Sequence, residues 1–282
     1  MFVLKIENER GNRIQLTQNP RYTLTSVTGL NPPNANINTA TNANFDGSVY
    51  KSSRVNSRNI VITLAIEGDV ETNRILLYRF IKVKKQVTIY VQNNSRNVQI
   101  TGYVESFEIG LFDNKQMAQI SILCPKPYFS DITSNSVNFL SYKSLFEFPF
   151  SIAQEGIEFS RLVVGEETSV FNLGDATTGM TLSFKALGTV VNPTLYNVET
   201  RESLKVNITL NEGDALNINT NQGQKSVTYV SQGLSTNVIN NLDASSSWLQ
   251  LEPGENILLY TADQYPQFLI CNLIFNDQYE GV

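Results

Sequence analysis

The sequence contains no histidine and only two cysteines in 282 residues. Without an imidazole, the usual base for serine and cysteine nucleophiles is missing, and so is the commonest protein ligand for zinc. Most hydrolase and metalloenzyme plans are closed, so no catalytic residue, metal site or cofactor is expected. Cys124 and Cys271 lie far apart in the chain, which suits two buried small apolar side chains in a reducing compartment better than a disulfide framework. Charge is scarce as well, at 17% of residues against roughly 25% in an average domain. Asn, Thr, Ser and Gln supply the missing polarity, as suits extended β-structure and packed assemblies. No run approaches the ~20 apolar residues of a membrane span. The opening MFVLKIENERGN has no basic stretch before its short apolar run, so no secretory signal is expected there and the protein is expected to be made and kept in the cytoplasm.

The length is enough for two domains, each with its own core. The charge is divided unevenly between them. Residues 1–130 hold 15 Lys/Arg and 9 Asp/Glu, while residues 131–282 hold 6 and 17, so a basic half precedes an acidic one.

Alternation of apolar and polar residues at Phe2, Leu4 and Ile6, a polar turn, and then Ile14 and Leu16 predict a β-hairpin. Residues from about 31 to 58 have no sustained apolar period and are too many for an ordinary connection. Phe45, Val49 and Tyr50 around the Asp46-Gly47 turn signal give this stretch apolar anchors that a solvated linker does not need, so we read it as an arm that orders against a neighbour. Ile60, Ile62 and Leu64, with Val61, Ala65 and Ile66, form a strand apolar on both faces and therefore central in its sheet. From Asp69 to Phe80 the spacing predicts a helix, with Asp69 as its cap and Leu76, Leu77, Phe80 and Ile81 on one face. Strands are predicted over 86–91, 97–108 and 115–123, giving a mostly β domain with one packing helix.

Pro125 and Pro127 end the last of these strands near the change in charge balance, and the domain boundary is placed at about residue 130. Beyond it, short apolar-polar runs recur at 146–150, 158–163, 169–173, 181–187, 204–210, 215–218, 226–229, 248–251, 256–260 and 268–275. Regular short strands of this kind predict a β-sandwich or jelly roll.

The order of these segments resembles a known family. In the first domain it runs from the hairpin and the Asp46-Gly47 arm through Arg58-Asn59-Ile60-Val61-Ile62, the helix and Ile100-Thr101-Gly102-Tyr103-Val104 to Cys124-Pro125-Lys126-Pro127-Tyr128-Phe129. In the second, Asn192-Pro193, Leu204-Lys205-Val206, Gly213-Asp214, Trp248-Leu249-Gln250-Leu251, Pro253-Gly254-Glu255-Asn256 and Tyr279-Glu280-Gly281-Val282 follow in turn. Together they look like the distal tail (Dit) proteins of long-tailed phages and tailocins. The resemblance implies a mainly β chain: a β-sandwich-like, tail-tube-type domain over 1–130 with one helix and an arm at about 31–58, then a galectin-like or jelly-roll sandwich over 131–282. It implies a non-enzymatic six-fold ring that joins the tail-tube protein to the tail-tip hub or tail-lysin protein and to receptor-binding proteins. Such a ring lets DNA pass without specific binding, has no membrane partner, and sits in the virion tail after assembly in the host cytoplasm.

Within that picture Leu30, Phe45, Asp46, Val49, Tyr50 and Arg54 are the expected subunit contacts, and Trp248 is a candidate partner or glycan contact. A different reading makes the second domain a carbohydrate-binding module for host-wall polysaccharide. Trp248 would then stack on sugar, but the neighbouring Leu249 and Leu251 favour core packing. The stretch Asn217–Gly223 lacks the carboxylates of a calcium loop and reads as a strand entering a turn. Glu155 with Glu158, and Glu166 with Glu167, are weak candidates for a glycosidase pair, because carboxylates are common on an acidic surface. Residues 233–237 read as a turn. The basic cluster Arg79, Lys82, Lys84 and Lys85 reads as inter-subunit or solvated charge, with DNA contact the lesser option.

Overall fold

The computed structural model describes residues 1–41, 44, 46–111, 115–139, 141–144, 160–163 and 167–282. The protein is mainly β and forms two compact units: residues 1–132 with 278–282, and residues 133–277.

The first unit contains β1 (Val3–Asn8), β2 (Arg13–Gln15), β3 (Tyr22–Thr28), β4 (Ala35–Thr41), β5 (Ser48–Val55), β6 (Arg58–Ile66), α1 (Val70–Phe80), β7 (Gln86–Gln92), β8 (Asn97–Ile109), β9 (Met117–Cys124) and β10 (Phe129–Asp131). A nine-stranded sheet runs in the order β2-β1-β7-β8-β9-β6-β3, with β10 added beside β8. Its ninth strand comes from the other end of the sequence: Gln278–Tyr279 pairs antiparallel with β10, Phe129 opposite Tyr279. The alternating residues Leu4 and Ile6, Ile60, Ile62 and Leu64, Val87, Ile89 and Val91, and Ile120 and Ile122 are buried and form one core with Leu77 and Ile81. Gly102 occupies an inward position of β8 because Cys124 and Ile122 from β9 fill the space there. A Cβ at Gly102 would lie 2.7 Å from Cys124 Sγ.

The helix begins where the capping chemistry places it. Asp69 accepts a hydrogen bond from the Thr72 backbone N–H at 3.2 Å, satisfying a first-turn donor, and Glu71 lies at the positive end of the dipole. Burial of Leu77 and a hydrogen bond from the buried Tyr22 hydroxyl to the Asn73 carbonyl, 3.0 Å, fix α1 to the sheet.

The second unit contains β11 (Asn135–Asn138), β12 (Ser141–Ser144), β13 (Ser160–Val163), β14 (Thr168–Asn172), β15 (Met180–Ala186), β16 (Val190–Asn197), β17 (Ser203–Lys205), β18 (Thr209–Leu210), β19 (Ala215–Asn219), β20 (Ser226–Ser231), β21 (Leu234–Asn237), β22 (Gly254–Gln264) and β23 (Leu269–Phe275). One sheet has the order β11-β23-β15-β19-β20-β21 and the other β14-β22-β16-β17, with β18 also on β16. Leu182, Phe184, Ile218, Cys271 and Leu273 from the first of these share a core with Leu195, Leu258 and Tyr260 from the second, as in a β-sandwich.

Three local expectations differ from the structure. Residues 248–251 do not form a strand; they run as an irregular segment whose Leu251 makes a single bridge to Thr178. Residues 234–237 do form one, because the turn falls earlier: Gln232 and Gly233 both have positive φ, so Ser231 pairs with Leu234. Strand β16 carries Pro193 opposite Ala262, and Asn192 before it takes a positive φ, so the proline is accommodated at an irregularity and hides the strand from a reading based on alternation. The stretch 217–223 is a strand entering a turn: Asn217 pairs with Thr228, and Asn219 Oδ1 accepts from the Asn221 N–H at 2.9 Å. The predicted strand at 146–150 lies outside the described residues.

Candidate assembly surface

The arm is a two-stranded antiparallel hairpin, β4 against β5, with a bulge where Asn38 opposite Ser52 gives way to Thr39 opposite Tyr50. It closes at its base through Asn56 N–H to the Asn34 carbonyl, 3.0 Å. Apart from half-buried Ala40 and Val55, every residue of its two strands is exposed. Ile37 is 63%, Val49 45% and Tyr50 60% exposed. Val49 and Tyr50 are consecutive and project to opposite sides, so neither side is a conventional solvated face. Because an isolated two-stranded hairpin is marginal in water, this one depends on its root.

The root is built differently. Arg58, 4% exposed, is the first residue of β6. Its Nε donates to the Pro127 carbonyl, and its Nη1 donates to the carbonyls of Gly29 and Asn31, each at 2.6 Å. Its Nη2 donates to the Glu280 carbonyl, and the guanidinium carbon lies 4.6 Å from the centre of the Phe129 ring. Burial draws the guanidinium below its ordinary pKa, with Cys124 and Glu280 acting in the opposite sense. The group remains a cation at neutral pH. One buried charge thus holds both legs of the arm, the exit at Pro127 and the segment 278–282. Gly29 has φ +84°, and a Cβ there would meet the Asn59 carbonyl oxygen at 2.1 Å, so only glycine permits the leg to pass.

The expected contact residues are not all equivalent. Asp46, Val49, Tyr50 and Arg54 lie exposed on the hairpin or its turn, whereas Phe45 falls outside the described residues. Leu30 stands at the root instead, half-buried against the first unit's core, and its carbonyl accepts from Val282 N–H at 3.1 Å. Arg58, Gly29 and the 278–282 segment were missed as site residues. Their contacts run to backbone carbonyls, and a lone arginine before a strand carries no signal of that.

Elsewhere, Arg10, Arg79, Lys82 and Lys85 line a cleft of about 230 Å3 beside the end of α1, where Lys85 pairs with Glu9 at 3.1 Å. Trp248 packs half-buried on the second unit's core, and Lys225 Nζ lies 5.3 Å from the centre of its ring. Glu155, Glu158 and Glu166 lie outside the described residues, and Glu167 is exposed. No helix among the described residues is long and apolar enough to cross a membrane.

Two family descriptions match the chain. Residues 9–124 match the phage tail protein RIFT-related domain, and residues 173–279 match the siphovirus-type tail component, C-terminal domain. Among solved structures, the crystal structure of the Dit protein of phage SPP1, described as a hub of the adsorption apparatus in phages infecting Gram-positive bacteria, is similar over 99% of both chains with a TM-score of 0.69 and 16% identity. A chain of the phage P2 baseplate in its activated conformation with calcium is similar over 100% of both chains, with a TM-score of 0.52 and 13% identity. No curated protein matches the chain.

Proposed function

The chain belongs to the siphovirus-type distal tail (Dit) proteins, structural hubs of the phage tail, and from that premise we propose that it works without catalysis, as a ring whose copies are joined by the arm. The observation that carries the reading is the hairpin itself: apolar side chains exposed on both sides, held by a root too well satisfied to be a casual loop. A symmetric neighbour supplies the missing cover, since the same patch recurs on every copy. The ring is six-fold, joins the tail-tube protein to the tail-tip hub or tail-lysin protein, and presents receptor-binding proteins. Asp46, Val49, Tyr50 and Arg54 contact the neighbouring copy, Leu30 contributes at the root, and Phe45 belongs to the same set of subunit contacts. DNA passes through without specific binding, and assembly takes place in the host cytoplasm before the protein resides in the tail. The basic cleft beside α1 supports inter-subunit or solvated charge. The sugar-binding alternative finds little support in Trp248, whose ring is spent on core packing and Lys225.

Replacing residues 33–56 by a short turn tests the reading. Mass measurement and negative-stain imaging, with tail-tube and hub partners present, should find folded but separate copies. Rings that persist without the arm would refute it.

A further inference from the structure

We infer that the segment Gln278–Val282 is a latch that aims the arm, so that loss of the latch weakens assembly while both units stay folded; this rests on the arm reading above. Four consecutive residues of the segment are each held by the first unit, Tyr279 by Arg96 and Asp131, and Glu280, Gly281 and Val282 against the arm's root. The Tyr279 ring lies 4.6 Å from the Arg96 guanidinium carbon, and its hydroxyl reaches Asp131 Oδ2 at 3.3 Å. The Glu280 carbonyl accepts from Arg58 and the Gly281 carbonyl from Arg96. Val282 N–H donates to Leu30 at 3.1 Å. Gly281 sits so close that a Cβ would come within 3.1 Å of both the Leu30 carbonyl oxygen and Pro32 Cδ.

Leu30 and Pro32 lead straight into one leg of the hairpin, and Arg58 ends the other. The segment therefore touches both legs at their base. A hairpin exposed on both sides has no packing of its own to set its direction, so the root sets it. Without the segment, Leu30 loses a donor and Arg58 loses one of its four acceptors, and the arm samples directions in which it does not meet a neighbour. Apparent affinity then falls by the fraction of time spent correctly aimed. Residues 278–282 also follow the whole second unit in sequence, so an arm cannot be latched before residues 133–277 have been made. The device makes assembly conditional on the second unit.

Three chains test this beside the wild type: one shortened by Gln278–Val282, one carrying Gly281→Ala, and the arm deletion. Association would be followed by sedimentation and native mass measurement, well below each chain's unfolding midpoint, with hydrogen exchange read at the amides of residues 34–56. The shortened chain should keep both units but associate at least about tenfold more weakly, with faster exchange confined to the arm and its root. Gly281→Ala should fall between it and the wild type. Equal association of shortened and wild-type chains, with the arm deletion monomeric, overturns the latch and leaves the arm reading standing. Association of the arm deletion overturns both. Should the shortened chain unfold, Gly281→Ala decides: wild-type association and wild-type exchange in the arm overturn the latch.

Discussion

Arg58 lies with its guanidinium carbon 4.6 Å from the centre of the Phe129 ring, so an aromatic covers the face of a cation whose edges are occupied by four backbone carbonyls. A buried charge is tolerated only when it is satisfied this fully. The pair ties the arm's far leg to β10 of the first unit's sheet.

Removing that charge should leave several carbonyls without a donor. Hydrogen bonds to charged groups are worth roughly 1.5–3 kcal/mol each, so Arg58→Ala should cost about 3 kcal/mol or more. Denaturant titration followed by circular dichroism measures it; a midpoint within error of the wild type would show that the carbonyls find other partners.

Two glycines with positive φ should behave differently. At Gly29 a Cβ collides with the Asn59 carbonyl, whereas at Gly47, φ +93°, nothing lies within 4 Å. Gly47→Ala should cost about 1–2 kcal/mol, the strain of the backbone alone. Gly29→Ala should cost clearly more, because the leg must also move. Equal shifts in thermal midpoint would contradict the close approach at Gly29.

Neither thiol should be reactive in the folded protein. Burial pushes Cys124 up to about 12, with Arg58 opposing, and burial alone raises Cys271 well above the ordinary range. The thiolate is the nucleophile, so a disulfide reagent at pH 8 should label neither cysteine until denaturant is added. Prompt labelling of either in the native state would place it nearer the surface than the structure does.

Asp243 should titrate low. Hydrogen bonds from the Ser245 hydroxyl, the Asn207 amide and the Ser245 backbone, with Lys205 nearby, hold its carboxyl at about 2 against an ordinary 3.8. Because the folded value is depressed, its contribution to stability is present above about 3.8 and is lost as pH falls towards 2. Asp243→Asn should remove that part of the pH dependence between these values. Carboxyl chemical shifts followed by NMR that report an ordinary midpoint would show that the network does not form.

Much of the fold could be read along the chain. The alternation at Ile60, Ile62 and Leu64, the Asp69 cap and the apolar face through Leu77 are local patterns, and their elements lie where those patterns place them. The hairpin of β4 and β5 was legible only as an oddity. Strand signals come from one face being buried, and here hardly any residue on either face is. Pro193 concealed β16 for a related reason, since an irregularity at Asn192 breaks the period on which such readings depend.

Composition, charge division and periodicity are properties of side chains in order, so a mainly β chain, its capped helix and its lack of histidine follow from the residues alone. Which distant backbones meet is another matter. The placing of Tyr279 beside Phe129, the four carbonyls around Arg58 and the grip on Gly281 came from folding in three dimensions. Every residue carries the same carbonyl oxygen, and nothing in its side chain announces which buried arginine will claim it.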